Sequence, residues 1–394
     1  MTSEPNTPPR LRYQLIAATF ARMVMNTAHR MFYPFLPAFS RGLGVPVETL
    51  TTMLSLRGAL GMSAPVFGPL ADRLGRRTAM LIGMGLFCIG LSLVAAFPGI
   101  VTLFIVVMLI ISAKFVFDPA LQAYLAERIP YSQRGLAVAL SELAWSGAVL
   151  IGVPLVGILI ARGGWRAPFL PLAVVGALAA VWIVLIIPAD APHGRHAKAI
   201  TLRQWLSLLR EPSVMAAMAI NLLSSGANES LNVVYGVWLE RNFALTVTQL
   251  GFTTTVIGIA ELIGEGGVAV LSDRLGKRQT IALGLVMSAL AYFVLPLASF
   301  NIQWALAGIF FAYLTFEFAI VANIPLITEL APEARSTMVS MAVASHAAGR
   351  MLGALLGSFV FRYGFVWNGV AAGVATAIGI PLILWVVRER KVVR

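Results

Sequence analysis

Apolar residues fill this chain in long runs, and short polar segments separate the runs at regular intervals. A helix needs about 20 predominantly apolar residues to cross a membrane, and twelve of the runs reach that length. We number them span 1 to span 12, and they cover residues 14–37, 49–70, 78–97, 100–126, 135–161, 167–187, 214–238, 249–271, 279–298, 303–329, 337–361 and 365–387. The pattern predicts an all-α integral membrane protein with twelve transmembrane helices.

The polar segments divide the chain into five predicted regions. These are an N-terminal tail at 1–13, a six-helix bundle at 14–188, a linker at 189–212, a second six-helix bundle at 213–387 and a C-terminal tail at 388–394. Apolar residues recur at helical spacing over Thr201–Glu211, which predicts either a short amphipathic helix on the membrane surface or a plain connector. The first 13 residues are polar, so we expect no removable signal peptide.

Composition agrees with a membrane protein and excludes several other classes. Hydrophobic residues make up 59% of the 394 residues and charged residues 12%. A soluble domain carries about 45–50% apolar and about 25% charged residues, so a soluble protein is excluded. A disulfide-stapled protein is excluded as well, because Cys88 is the single cysteine.

The net charge of +12 follows the predicted membrane topology. Nineteen Lys and Arg residues lie in the two tails and in the connections after even-numbered spans, against five on the opposite side. Because basic loops stay in the cytoplasm, we expect both termini to be cytoplasmic in a plasma membrane, with a bacterial inner membrane as the expected location. Anionic lipid headgroups are the expected neighbours of this charge, and no nucleic-acid partner is expected.

The two halves of the chain look like copies of each other. The residues after span 2, Leu70 to Arg77, read LADRLGRR, and those after span 8, Leu271 to Arg278, read LSDRLGKR. Six of the eight positions are identical at an offset of 201 residues. The repeat predicts two pseudo-symmetric six-helix bundles, an arrangement that secondary transporters use.

The run from Gly68 to Arg77 resembles the signature loop between spans 2 and 3 of the major facilitator superfamily. The resemblance implies the major facilitator fold and secondary active transport of a small organic solute by alternating access. It also implies that the loop latches the two halves in the outward-facing state. The gating residues it implies are Gly68, Asp72, Arg73, Gly75 and Arg76 in the first copy and Asp273, Arg274 and Gly276 in the second.

The physical chemistry of this loop suits such a latch. Asp72 is short and anionic, so it can bind the free N–H groups at the N-terminus of another helix. Gly75 can adopt a left-handed turn without a steric clash of a Cβ atom. The alternative for Arg73, Arg76 and Arg77 is that they only fix the membrane topology.

Span 5 carries part of a motif of drug/proton antiporters in the same superfamily. Those proteins have Gly-Pro-x-x-Gly-Gly, and this chain has Gly147, Gly152, Pro154 and Gly157, with the proline one place later and one glycine missing. The resemblance implies proton-coupled export. Proton-coupled uptake and transport of a lipid or lysolipid stay open as alternatives. The small residues also predict that span 5 bends and packs closely.

Ionisable residues within the spans mark the predicted transport site. A charge at the bilayer centre costs at least about 2.5–3.5 kcal/mol on insertion scales, so each one needs a partner, a cavity or a task. These residues share helix faces with other polar side chains, and such faces must turn away from lipid. The candidate substrate-binding residues are Asn26, His29, Arg30, Tyr33, Lys114, Asp118, Trp145, Asn228, Asn232, Tyr235, Glu317, His346 and Arg350.

Four acids are candidates for proton coupling, namely Glu229, Glu261, Glu265 and Glu317. Glu261 and Glu265 lie one helical turn apart, and two carboxylates that close in low dielectric repel, so one is expected to hold a proton. The alternative for Glu261 is a static salt bridge with Arg350.

Partners of the basic candidates stay open at this point as well. Lys114 and Asp118 could form a purely structural ion pair, because they are four residues apart on one helix. Arg30 could bind an anionic group of the solute or pair with Asp118 or Glu142.

Other function classes lack their sequence signals. No metal-binding His-Glu-x-x-His, cysteine pair or Walker loop is present, so an enzyme and an ATP-driven pump are disfavoured. A channel would need a pore-loop or filter pattern, and the double loop motif favours alternating access instead. The expected partners are a small-molecule substrate, protons and membrane lipids, with no cofactor or metal, and we expect a monomer.

Overall fold

The computed structural model describes residues 9–63, 74–129, 140–190, 208, 210–331 and 334–388, and these residues form helices joined by short turns. The helices of the first half are α1 Pro9–Arg30, α2 Phe32–Leu43, α3 Val47–Gly61, α4 Arg76–Ala96, α5 Ile100–Arg128, α6 Leu140–Gly163 and α7 Phe169–Ile186. Those of the second half are α8 Pro212–Asn232, α9 Tyr235–Phe243, α10 Val247–Leu275, α11 Lys277–Val294, α12 Ile302–Leu330, α13 Arg335–Phe361 and α14 Phe365–Pro381. Gly68, Asp72, Arg73, the side chain of Asp273 and most of the predicted linker helix lie outside the described residues.

Nine helices in the described part of the chain are long and apolar enough to cross a membrane, and they match predicted spans 3 to 6 and 8 to 12. Large apolar side chains on them point away from the protein, as in Leu185 and Trp385, each 77% exposed. Lipid tails are the solvent that such an exterior requires, since water would disfavour it. The all-α integral membrane class predicted from the sequence is confirmed.

Spans 1 and 7 are each broken into two helices at equivalent positions of the repeat. Span 1 breaks at Met31, between α1 and α2, because Pro34 has no N–H to donate to the carbonyl of Arg30. Span 7 breaks after Asn232 without a proline, and the backbone tightens there when Val234 donates to the carbonyl three residues back. Each break places polar side chains within an otherwise apolar span.

Left-handed backbone conformations repeat at nearly the same offset as the sequence motif. Three pairs of residues share a positive φ at an offset of 200 or 201 residues, and they are Gly44 with Ala244, Gly75 with Gly276, and Gly164 with Gly364. Glycine adopts this region without a Cβ clash, which explains five of the six residues. The two pseudo-symmetric halves therefore share turn geometry as well as sequence.

The described residues separate into two compact units. Unit 1 contains residues 9–31, 74–129 and 140–190, and unit 2 contains residues 32–63, 208, 210–331 and 334–388. By contact, the second part of span 1 and all of the described span 2 thus belong with the second half of the chain. The bundle boundaries predicted from the sequence follow the repeat, whereas these units follow packing.

Small residues bring α8 and α13 into close contact in unit 2. Cβ atoms at Gly349, Gly353 and Gly357 would collide with backbone carbonyls of α8 at Leu222, Gly226 and Ser230. Such spacing lets two backbones approach closely. In a membrane, where no hydrophobic effect drives helices together, the van der Waals contacts of this close approach stabilise the packing. The contact holds the polar faces of α8 and α13 in a fixed register.

Helix α6 contains a π-helical turn next to Pro154, and it packs closely as its small residues predict. Pro154 cannot donate a backbone hydrogen bond to Leu150, and the turn just before it, Ala148–Gly152, is π-helical. A Cβ atom at Gly152 would collide with Thr27 of α1, so the glycine allows close contact between the two helices.

The basic residues at the end of the signature loop bind equivalent partners in both halves. Arg76 forms an ion pair with Glu127 at the end of α5, with Nη2 to Oε1 at 2.8 Å, and Lys277 pairs in the same way with Glu329 at the end of α12. The next residue of each copy donates to a backbone carbonyl, Arg77 to Val184 and Arg278 to Ile383. These residues therefore join neighbouring helices, so they do more than fix the membrane topology.

Asp190 caps the first turn of α4, which no sequence signal had indicated. Its carboxylate accepts backbone hydrogen bonds from Arg77 and Thr78, each at 3.0 Å, and another from the Thr78 hydroxyl at 2.9 Å. A Cβ atom at Gly75 would collide with this carboxyl, so the glycine is needed for the cap. Partial burial raises the pKa of Asp190, but these N–H donors outweigh it and hold the pKa below its usual range.

We expect Asp190→Ala to destabilise the protein by about 0.5–2 kcal/mol, the usual cost of losing a helix cap. Because the pKa of Asp190 is lower in the folded protein, its contribution is complete above the unfolded pKa of about 3.9 and fades as pH falls through the folded pKa. The difference in melting temperature in detergent between wild type and variant should therefore be complete at pH 7 and shrink as the pH falls below about 3.9. Glu127→Ala, which removes an exposed ion pair at the same loop, is the control and should shift the melting temperature less. Equal shifts for the two variants would contradict this assignment.

Candidate functional site

A network of charged side chains lies inside unit 1, where α1 meets α5 and α6. Arg22, which is 9% exposed, pairs with Asp118 on α5 at 3.2 Å and with Glu142 on α6 at 2.8 Å. It also donates to the backbone carbonyl of Ser141 at 3.0 Å. Arg22 is therefore the described partner of both acids, and it joins three helices through one guanidinium.

Lys114 extends the same network along α5. Its Nζ lies 3.0 Å from Asp118 and also donates to the side-chain oxygen of Asn26 on α1. The predicted Lys114–Asp118 ion pair is confirmed. Since Asp118 serves Arg22 and Lys114 together, the two bases and two acids of this network balance in charge.

Trp145 on α6 gathers cationic and aromatic groups beside this network. The guanidinium carbon of Arg30 lies 4.4 Å from the centre of the Trp145 ring, and Lys114 Nζ lies 5.9 Å away. The His29 ring is centred 6.2 Å from it. A buried cation over an indole face is stabilised by the quadrupole of the ring, so Trp145 fixes Arg30 and belongs to the site.

A second network lies inside unit 2 around Glu229, a carboxylate on α8 that is 2% exposed. Its Oε1 accepts a hydrogen bond from Tyr33 at 2.8 Å and faces Arg57 at 3.5 Å, while its Oε2 pairs with Arg350 at 3.0 Å. Both guanidiniums also donate to the Tyr33 hydroxyl. Tyr33 and Glu229 thus hold two buried arginines together.

Asparagines on α8 continue the Glu229 network. The amide nitrogen of Asn232 donates to Glu229 at 3.2 Å and to Asn228 at 2.8 Å, and Tyr313 on α12 donates to Asn232. Four predicted site residues, Tyr33, Asn228, Asn232 and Arg350, are therefore members of one network with Glu229. Tyr235, another predicted residue, is buried at the start of α9.

His346 forms its own contact one turn before Arg350 on α13. Its Nδ1 lies 2.6 Å from the hydroxyl of Ser225 on α8. His346 and Arg350 lie four residues apart on one face of α13, and both contact α8.

The carboxylate that pairs with Arg350 in the structure is that of Glu229, whereas the sequence alternative had matched Arg350 to Glu261. Glu261 lies on α10 and is 3% exposed, and the helix that packs beside it is α12. A Cβ atom at Gly264 would approach Leu314 O and lie 3.1 Å from Glu317 Cβ, so α10 contacts α12 at the level of these acids. The fold therefore brings Glu317 to the helix turn that carries Glu261 and Glu265.

Two arginines of the networks had not been singled out as site candidates. Arg57 and Arg22 each hold a central position, yet from the sequence they were only two of several charges within spans. The available signal was their place in the middle of apolar runs, which is also the signal for Arg30. Which acid each arginine meets could be seen only in the structure.

Ion pairs close the end of unit 2 that lies away from the basic loops. Arg41 on α2 forms a bidentate pair with Glu240 on α9 at 2.7 and 2.8 Å, and Arg362 lies 3.7 Å from Glu48 on α3. Gly58 on α3 also packs against α13, where a Cβ atom would lie 2.7 Å from a backbone carbonyl. Residues 32–63 are thereby fastened to spans 7 and 11.

Comparison with known proteins places this architecture among transporters. The sequence matches the family model described as Major Facilitator Superfamily over residues 17–226 and 214–394, which together span nearly the whole chain. It is 27% identical over 331 residues to the uncharacterized MFS-type transporter YceJ of Bacillus subtilis (strain 168), covering 83% of each chain.

Two further comparisons extend this likeness. The chain is 23% identical over 302 residues to the multidrug resistance protein MdtG of Escherichia coli O17:K52:H18 (strain UMN026 / ExPEC), covering 73% of this chain and 72% of MdtG. Among solved structures, the peptide transporter POT in complex with sulfate superposes with a TM-score of 0.79 at 17% identity, covering 97% of this chain and 95% of POT. At that identity the structural likeness shows a shared fold.

Proposed function

The chain belongs to the major facilitator superfamily and is a multi-pass membrane protein and secondary transporter, and on that premise we propose that it exports a small organic solute in exchange for protons. The superfamily uses alternating access, in which a site between two repeats opens to one side of the membrane at a time. We place it in a bacterial inner membrane with both termini in the cytoplasm, in keeping with the positive-inside pattern.

The observation that carries the proton-coupling part of the proposal is the contact between α10 and α12 at Gly264. Glu261 and Glu265 lie within one turn of that glycine, and Glu317 lies across it. Carboxyl groups inside a membrane commonly relay protons, and this contact gathers three of them. An acid in this position can load a proton on one side of the membrane and release it on the other as its surroundings change.

Two observations support export of an organic solute. One relative at 23% identity is called a multidrug resistance protein. The charged networks of both units, together with Trp145, offer ion pairs and aromatic surface suited to a polar or amphipathic organic molecule. We therefore assign substrate binding to the residues of the Arg22–Lys114 network and of the Glu229 network.

Alternating access also assigns a role to the contacts of residues 32–63. The ion pairs Arg41–Glu240 and Glu48–Arg362 join spans 1 and 2 to spans 7 and 11 at the end away from the basic loops. We propose that this end is closed to the outside in the present state and that these pairs separate when it opens. The signature loop around Asp72 would then latch the opposite, outward-facing state.

Purified protein in proteoliposomes tests this function directly. We would impose a pH gradient and follow three membrane-impermeant or slowly permeant dyes: 6-carboxyfluorescein, rhodamine B and ethidium. At least one dye should move against its own gradient, opposite to the proton flow, and a protonophore should abolish this movement. Protein-free vesicles provide the control. If the movement of every transported dye persists in the presence of the protonophore, proton coupling is contradicted. If the dyes move in the same direction as the protons, the protein is an uptake symporter and not an exporter.

A further inference from the structure

Arg350 keeps part of its guanidinium available for a ligand. Its Nε and Nη2 donate to Glu229 and Tyr33, while Nη1 makes no hydrogen bond to any residue that the structure describes. The side chain is 21% exposed, although its charge lies within a membrane span. A guanidinium presents its donors in a rigid fork, so one bound edge leaves another edge in a defined direction.

Asn228 supplies a second unused donor in the same network. Its side-chain oxygen accepts from Asn232, and its buried amide nitrogen Nδ2 lies beside the hydroxyl of Tyr292 on α11 without forming a hydrogen bond of good geometry to any described residue. Asn228 is 7% exposed. A buried amide donor without a well-placed acceptor is unfavourable, so such groups commonly bind a ligand or a water molecule.

The acceptor that belongs to this network is already fully engaged. Both oxygens of Glu229 receive hydrogen bonds, Oε1 from Tyr33 and Oε2 from Arg350 and Asn232. Two arginines against one carboxylate leave this network with a net positive charge among the described residues, and it offers hydrogen-bond donors to a ligand. An incoming group with negative oxygen atoms satisfies it, whereas an ammonium group does not.

Close packing fixes these donors in place. The contact of Gly349 and Gly353 with the backbone of α8 holds Arg350 and Asn228 on two helices in one register. Binding a ligand then needs little further ordering of either helix, which favours affinity. The neighbouring Ser225–His346 pair lies one turn away and borders the same polar faces.

We infer that the polar face shared by α8 and α13 is an anion subsite, in which Arg350 and Asn228 bind a carboxylate-type group of the transported solute. This inference rests on the proposed transport function and adds the chemical class of one end of the substrate. It assigns the anionic group to the second half of the chain. Arg30, for which the sequence left this task open, lies over the ring of Trp145 in the first half.

A matched set of three probes tests the subsite by direct binding. Pyrenebutyrate, its primary amide and pyrenebutylamine share one apolar body and differ only in the head group. Binding to wild-type protein in nanodiscs, followed by pyrene fluorescence, should rank the carboxylate above the amide and the amide above the amine. Arg350→Gln should weaken the carboxylate by about tenfold to hundredfold and the amide by less than about threefold, since a charge-assisted hydrogen bond is lost.

Further variants keep the test valid if Arg350→Gln folds poorly. Asn228→Asp retains the oxygen that accepts from Asn232, removes the unused donor and adds a negative charge, so it should weaken the carboxylate probe and spare the amine. Arg350→Lys should restore part of the carboxylate affinity. Arg241→Gln, which changes an exposed arginine of the same unit outside both networks and outside the ion pairs described above, is the control and should leave all three affinities unchanged.

The outcomes separate this inference from the proposed function. If wild type does not prefer the carboxylate, or if Arg350→Gln weakens the carboxylate and the amide equally, the anion subsite is wrong. Proton-driven movement of ethidium in the vesicle assay would in that case leave the export function intact. Selective carboxylate binding without any proton-driven transport would support the subsite and contradict the exchange mechanism.

Discussion

Glu261→Gln is expected to abolish substrate-driven proton movement while solute exchange in the absence of a gradient continues. Glutamine keeps the size and polarity of the side chain but cannot release a proton, so only the coupling step is lost. Reconstituted vesicles loaded with a pH-sensitive dye report the proton flux, and counterflow of a transported dye reports exchange. We expect a fall of at least about tenfold in proton flux, with exchange within about threefold of wild type, because our proposal assigns Glu261 only the proton-carrying step.

Glu265→Gln is the matched control, since it lies on the same helix one turn away and is less buried. Retained proton flux in Glu261→Gln together with its loss in Glu265→Gln or Glu317→Gln would pass the role to that neighbour. If all three variants keep their coupling, the acids at the α10–α12 contact are not the proton pathway. Loss of folding in Glu261→Gln would instead identify a structural role.

The second large effect is expected for Glu229→Gln. Its carboxylate is the described acidic partner of Arg350 and lies 3.5 Å from Arg57, and it is 2% exposed. Removing one member of a buried ion pair leaves uncompensated charge and typically destabilises a protein by about 3–5 kcal/mol. We expect a strongly lowered melting temperature in detergent and weaker attachment of residues 32–63 to spans 7 and 11.

Glu240→Gln is the control for this experiment, because it removes a carboxylate that pairs with Arg41 at the exposed end of the same unit. Exposed pairs contribute about 0–1 kcal/mol, so its melting temperature should stay near that of wild type. Similar melting temperatures for Glu229→Gln and wild type would show that Glu229 is not essential to the network. Combining Glu229→Gln with Arg57→Gln should recover part of the lost stability, since one uncompensated charge is removed.

The prediction of site residues from the sequence succeeded where helical periodicity was sufficient. Lys114 and Asp118 are four residues apart on one helix, so their ion pair follows from helix geometry alone. The close packing of span 5 likewise followed from the small residues that the sequence places there. Periodicity fixes which residues share a face, and it says nothing about the helix that this face will meet.

Partner choice between helices depended on packing. Arg350 was matched to Glu261 as one alternative, and the fold gave it Glu229 instead, because glycines on α13 bring that helix against α8. Asp190 was assigned to a linker, yet it caps α4 more than a hundred residues earlier in the chain. Such contacts join residues far apart in sequence, where no local spacing carries information.

The sequence by itself determined the membrane class, the repeat and the family, because span length, charge asymmetry and a recurring loop are all local features of the chain. Only the tertiary structure decided which charges neutralise each other and which donors stay unused. In a membrane interior, each buried charge must find a counter-charge within a few ångströms, and close helix packing selects it. Glu229, with Tyr33, Arg57 and Arg350 gathered around it from three other helices, is the result of that selection.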